Sequence, residues 1–334
     1  MTISIGKPWV LRGLLAALML FGGELLLWVG PTQTDILEWV LRLIGYGAIA
    51  TLTLDLAARY RIRDVYGVML VILTAASLTA LLVNPNGALN ILPDHIITRT
   101  IGAYGAILLE AIGLWLLFTR GDHALYRRRA LGFSLPIGIF AAIWARDAHQ
   151  LAGWTTDTPD LLAVMIGIGI MIGVILAFVI SLYRQPKTET EAETPKMMIL
   201  SQREFAALSV VLVSVGFIRI LQDAYGGGEF LVLALVFIAW VVLWFERSDK
   251  GRTLLKPHFP LQRVPWQTII GMIGLFYAGL IFGWLWPSFD FGGYNAMALI
   301  EFAFLLLGFL WVPLIVIVTA ARALDRQSRK IEVL

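Results

Sequence analysis

About ten apolar runs follow one another along this chain, each near the length that crosses a bilayer, and the short segments between them leave nothing from which to build a soluble core. A helix of roughly 20 apolar residues spans the hydrocarbon layer. It also satisfies its own backbone there, which an isolated extended segment does not. The runs lie at about 8–30, 34–58, 65–83, 96–118, 132–151, 159–183, 203–225, 229–246, 265–286 and 295–321. Of the 334 residues 59% are hydrophobic and only 15% charged, well under the share of charge in soluble domains. The expected fold class is all-α: a polytopic integral membrane protein with about ten transmembrane helices, N-in/C-in, and no soluble domain. The first run lacks a small-residue cleavage site and reads as a retained helix rather than a signal peptide. The fifth is the weakest, because Pro136 interrupts its start and charges cut into its end. Eight or nine helices with a re-entrant segment at that point is the alternative count.

Loop charges orient the runs. All but four of the 26 Lys and Arg fall in the two termini and in alternate loops, such as Arg59, Arg61 and Arg63, or Arg127, Arg128 and Arg129. The positive-inside rule assigns those loops and both termini to the cytoplasm, as in a multi-pass protein of a prokaryotic cytoplasmic membrane. Trp28, Trp39, Trp154 and Trp286 then fall at the outer boundary, and Trp9, Tyr60, Tyr183 and Trp266 at the inner one. Both sets suit aromatic belts. The basic residues form no stripe, which argues against nucleic acid as a partner. The chain has no cysteine, so disulfides, thiolate metal sites and cysteine nucleophiles are excluded.

The longest polar connection, 185–202, contains PKTETEAETPK between Pro186 and Pro195 and reads as a cytoplasmic linker. It divides the chain into a six-helix bundle (1–184) and a four-helix bundle (203–334), expected to join as one membrane domain. Two run ends resemble each other. Trp144-Ala-Arg146-Asp147-Ala-His149 and Arg219-Ile-Leu-Gln-Asp223-Ala-Tyr225 are each followed by a polar turn and an acid, Asp160 or Glu229. A parallel repeat accounts for this, and so does the ordinary need of any hairpin for a turn and an N-cap.

The four basic residues outside the cytoplasmic set are Arg42, Arg99, Arg146 and Arg219, all in the outer half. Glu24, Glu38, Asp147, Asp223 and Glu301 share that half. Glu24, Arg42, Arg219 and Glu301 sit roughly 9–12 Å inside their helix ends at 1.5 Å per residue. Facing lipid, each would cost about 2.5–3.5 kcal/mol, so they are expected to turn inward and meet in a cavity open to the outside. There Arg42, Arg146 and Arg219, with Glu38 and Glu301, are candidate ligand-binding residues, the arginines as clamps for phosphate or carboxylate. Asp147, His149 and Asp223 are the candidate acids and bases. A purely structural role competes with this. Glu38 and Arg42, and Arg219 and Asp223, are i,i+4 pairs that can neutralise one another locally, while Arg146 can snorkel to the surface.

Glu110 stands apart, roughly 20 Å from the outer end of its run. It is either a proton relay or a hydrogen-bonded acid joining two helices. The four histidines, His95, His123, His149 and His258, show no i,i+4 pair, and neither a metal nor any cofactor is expected. Gly167, Gly169, Gly173 and the pair Gly279 and Gly283 have the small-residue spacing of close helix contacts, and Pro313 is expected to kink the last helix. No nucleotide-binding or hydrolase motif has the context it needs.

Three functions fit. The first is a secondary transporter of a small or anionic solute. The second is an outer-leaflet enzyme or binder acting on an anionic or lipid-linked substrate. The third is a cofactor-free subunit, an anchor or quinol site, of a respiratory or photosynthetic complex. Partners beyond the lipid bilayer would then be anionic lipid, quinone or other membrane subunits. Whether the chain is an enzyme stays open at this level.

Overall fold

Eleven α-helices and two π-helical segments account for nearly all the described residues of the computed structural model, which are 6–27, 35–62, 64–89, 92–120, 124–147, 160–184, 197–222, 224–225, 227–246, 263–286, 290–291 and 294–332. They are α1 (Gly6–Leu20) continued by a first π segment (Phe21–Leu27), α2 (Ile36–Arg59), α3 (Val65–Leu82) and the short α4 (Pro85–Leu89). A second π segment (Ile96–Tyr104) runs into α5 (Gly105–Arg120). Then come α6 (Ala124–Asp147), α7 (Leu161–Arg184), α8 (Gln202–Leu221), α9 (Glu229–Glu246), α10 (Trp266–Leu285) and α11 (Ala296–Glu332). Asp290–Phe291 and Tyr294–Asn295 form a small antiparallel ribbon before α11.

Polar residues start several helices as their chemistry dictates. Asp35 accepts the Ile36 N–H and Asp64 accepts the Gly67 N–H. Ser201 and Glu204 form a reciprocal capping box at the start of α8.

Nine helices among the described residues are long and apolar enough to cross a membrane. The tenth expected run is α9, which is apolar but shorter. It still traverses the bundle. A Cβ on Gly228 at its start would meet Leu89 and Leu92, beyond the end of α3. Near its other end, Trp240 donates its indole N–H to the Tyr60 hydroxyl at the end of α2, 2.7 Å away. α9 therefore runs antiparallel to α3 along most of its length. The fifth run needs no re-entrant segment, because α6 is one helix that continues through Pro136. It begins earlier than its apolar stretch because Arg127, Arg128 and Arg129 lie on its solvated first turns, where charge costs the helix nothing. Pro313 likewise lies inside α11.

The first four long helices hold the densest packing. Leu14, Leu15, Ile49, Ala50, Leu70, Ile72 and Ala76 are completely buried at their centre. α8 packs on α2 and α3, α10 packs on α6, and α11 packs on the second π segment. The outward faces of α7 to α11 carry exposed Ile166, Val213, Phe217, Phe237, Trp244 and Phe309, an apolar surface suited to lipid. Of the linker expected at 185–202, residues 185–196 lie outside the described residues. Its end is anchored: Met198 and Leu200 are buried, and the Leu200 N–H bonds to Asp55 at 2.7 Å.

Glycine sets the closest helix contact. α6 and α10 run parallel, and a Cβ on Gly279 would run into the Leu135 carbonyl. One on Gly138 would meet the Phe276 carbonyl, and one on Gly283 the Ile139 carbonyl. The expected Gly279/Gly283 contact is thus a backbone-to-backbone approach. The spacing on α7 is used less: Gly169 faces Tyr277, while a Cβ on Gly173 would meet nothing within 4 Å.

Candidate functional site

Arg219 lies at the end of α8, only 4% exposed, and all five of its N–H groups meet protein acceptors. Nε donates to the Leu82 carbonyl at 2.9 Å. Nη1 donates to Glu38 at 2.7 Å and to Gln222 at 2.8 Å. Nη2 donates to Glu38 and to the Val83 carbonyl, each at 2.7 Å. The two carbonyls belong to the open end of α3, where a cation also complements the helix dipole. Tyr225 adds a bond to the Leu81 carbonyl at 3.1 Å. This arginine is a fastener between α2, α3 and α8, with no donor left for a ligand.

Arg146 does the same for another helix. It chelates its neighbour Asp147 with two bonds of 2.8 Å. Its Nη1 reaches the carbonyls of Gly283, Trp284 and Trp286 at the open end of α10. Beside it the Trp144 indole donates to the Leu27 carbonyl and packs against Phe140 and Phe304. The resemblance between the two run ends therefore has a common physical role. Each places an arginine where it caps the last carbonyls of a neighbouring parallel helix.

Glu38 continues the first network. It accepts from Arg42 Nε at 3.1 Å, and Arg42 in turn pairs with Glu24 in the first π segment. Tyr46 donates to the other Glu24 oxygen at 2.9 Å. A Cβ on Gly23 would strike the Tyr46 hydroxyl, so the glycine is what lets that hydroxyl reach Glu24. Glu24, Arg42, Glu38 and Arg219 thus form a neutral chain of alternating charge across the first π segment, α2 and α8. Glu301 on α11 approaches a different arginine, Arg99 of the second π segment, at 4.0 Å. His95, just ahead of that segment, is held down at about 4 by burial and by the positive charge of Arg99. It is therefore uncharged at neutral pH.

The structure brings together Arg42, Glu38 and Arg219, and it gives Arg146 with Asp147, and Glu301 with Arg99, partners of their own. His149 and Asp223 lie outside the described residues. The opposite end of the bundle is tied in a similar way. Asp55 accepts two bonds from Arg59, at 2.9 and 2.8 Å. Asp64 pairs with Arg322, and Arg12 reaches the Met198 carbonyl at 3.4 Å.

Glu110 has a different setting. It lines a cleft of about 500 Å³ between α1, α5, α6, α7 and α10. The walls are apolar: Leu109, Leu114, Phe133, Ile172, Met272 and Phe276 are representative. Leu109 and Phe133, among these, are exposed, so the cleft opens toward what would be lipid. Among the described residues Glu110 makes no hydrogen bond or ion pair, unlike Glu24, Glu38 and Asp55. Ser134, which also lines the cleft, spends its proton on the Ala130 carbonyl at 2.7 Å. Gly113, one turn beyond Glu110, also lines the cleft, and a Cβ there would meet nothing within 4 Å. The volume falls within the range of about 300–1,000 Å³ usual for small-molecule sites.

Among the described residues no group of three or more His, Asp or Glu has the arrangement of a metal site. Comparison with protein-family models, curated proteins and solved structures finds no match.

Several residues that matter here had no signature in the sequence. Tyr46 and Tyr225 act through tertiary contact, and the i,i+3 bond of Gln222 to Arg219 was one local pairing among several open to it. Gly22-Gly23 ahead of Glu24 marks the place where the first run leaves α-helical geometry, but glycine pairs are common in membrane helices. The cleft did have a readable trace: Glu110, Gly113, Leu114 and Leu117 fall at i, i+3, i+4 and i+7, an acid and a glycine on one helical face.

Proposed function

We propose that this chain is a multi-pass membrane carrier, with both termini cytoplasmic, that takes an apolar or amphipathic solute from the bilayer into the cleft beside Glu110. The observation that carries this reading is an acid that has no hydrogen-bond or ion-pair partner among the described residues, in an apolar cleft at membrane depth. Glu110 is roughly 21 Å from the start of its span at Ile96 and about 14 Å from Thr119, taking 1.5 Å per residue. A carrier's site belongs near the midplane. An intramembrane acid without a partner marks a functional site by default.

The solute favoured here is hydrophobic rather than small and anionic. The anion clamps expected from the sequence have protein partners: Arg219 has no spare donor, Arg146 is bound to Asp147 and the end of α10, and Arg42 is paired with Glu24 and Glu38. An outer-leaflet enzyme working through those arginines has less support for the same reason. A quinol-site subunit of a larger complex is the second reading. A quinone also combines an apolar body with a polar head that a carboxyl can hold. Purification with partner subunits and bound quinone would favour it.

Gly113→Phe fills the cleft from a position with open space and gains helix propensity. Binding of the neutral apolar fluorophore N-phenyl-1-naphthylamine to the purified protein in nanodiscs is expected to weaken about tenfold or more in this variant, equivalent to about 1.4 kcal/mol. Thermal stability should be unchanged. Equal binding by both proteins would remove the cleft as the site.

A further inference from the structure

The unpartnered carboxyl narrows the class of ligand, and the inference rests on the cleft being the site. We propose that Glu110 takes a lipophilic organic cation in exchange for a proton. A bare carboxylate is costly in an apolar cleft, and among the described residues nothing neutralises this one. Two species can do so: a proton on the carboxyl itself, or a cation whose apolar body fills the surrounding space. They exclude each other. Binding of the cation breaks the carboxyl O–H bond, the proton leaves to water, and the carboxylate stays as counter-ion. Nothing is oxidised or reduced.

Two polar side chains besides Ser134 share the cleft wall with Glu110. α6 contributes Tyr126 and Arg129 to the cleft wall, roughly two turns and one turn nearer the α5–α6 connection than Ser134. The wall residues of α1, α7 and α10 are all apolar. Several other charged groups on elements packed against α5 are engaged elsewhere. Glu24 is held by Arg42 and Tyr46, Arg99 approaches Glu301, and Arg12 faces Met198 and Glu204. Tyr104 lies on the second π segment and is buried there. A neutral solute would leave the Glu110 carboxyl unused. An anionic one would meet it as a like charge. A hydrophobic cation uses both the acid and the apolar walls.

The test uses the full chain in nanodiscs, with tetraphenylphosphonium as the cation and N-phenyl-1-naphthylamine as the neutral probe. The wild type is expected to bind tetraphenylphosphonium more weakly as pH falls, approaching tenfold per unit where proton and cation compete. Glu110→Gln should lose about tenfold or more in cation affinity and all of the pH dependence. Glu110→Asp should keep the pH dependence. Wild-type elution on size exclusion and an unchanged thermal unfolding midpoint show that each variant is folded. Cation binding that is equal in wild type and Glu110→Gln, or independent of pH, overturns the exchange. If the wild type binds the neutral probe but not the cation, the exchange fails and the cleft survives as a site. If it binds neither, both readings fail.

Discussion

Arg219→Met is expected to cost about 3–5 kcal/mol of stability, the range for breaking a buried ion pair by removing one partner. Methionine keeps much of the side-chain bulk and removes every bond. Glu38 loses two contacts of 2.7 Å and keeps only Arg42. The carbonyls of Leu82 and Val83 lose their donors at the end of α3. Reversible denaturant unfolding in mixed micelles measures the change. The further variant Arg219→Met with Glu38→Gln should recover part of the loss, because the stranded charge is then gone. A cost below about 1 kcal/mol would place Arg219 among weakly coupled surface ion pairs and reopen it as a ligand group.

Gly279→Leu should be the most damaging change at the α6–α10 contact. The new side chain would begin inside the space of the Leu135 carbonyl, close to the Ile139 backbone nitrogen. Backbone cannot rotate away as a side chain can, so the two helices must separate along the row that also contains Gly138 and Gly283. Overpacking of this kind costs typically about 1–3 kcal/mol. Separation would also draw the carbonyls of α10 away from Arg146. Gly173→Leu is the matched control, since a Cβ there meets open space, and it should stay within about 0.5 kcal/mol of wild type. Similar losses in both variants would mean that the contact at Gly279 is not what holds α6 to α10.

Most of the fold was legible because the bilayer restricts the choices so strongly. Run length located most helices to within a few residues, the start of α6 and the end of α11 excepted, and the inward turning of Glu24, Arg42 and Arg219 followed from the cost of facing them to lipid. The sequence could not say what the inward charges would find. Arg146 and Arg219 read equally well as anion clamps or as helix caps. The choice is made by the open ends of α10 and α3, which lie 137 to 140 residues away from Arg146 and 136 to 137 from Arg219. The π segments were not legible either. An extra residue per turn leaves the apolar content of a run unchanged, so neither hydropathy nor span length registers it. Glu110 was visible as an isolated acid. What surrounds it comes from α1, α6, α7 and α10, and no periodicity within α5 reports on that space.

The cleft at Glu110 as the binding site is tested most directly by photolabelling in a bilayer. A small apolar diazirine is cross-linked in reconstituted membranes with and without excess unlabelled N-phenyl-1-naphthylamine, and the labelled peptides are mapped. Labelling of the outward faces of α8, α9 and α11 should rise with probe concentration and resist competition, as expected for lipid contact. A saturable and competable component should map to the cleft walls near Leu109, Gly113 and Phe133, and should vanish in Gly113→Phe. Competable labelling centred on Arg42, Arg146 or Arg219, with none in the cleft, would contradict this account and return the site to the arginine networks.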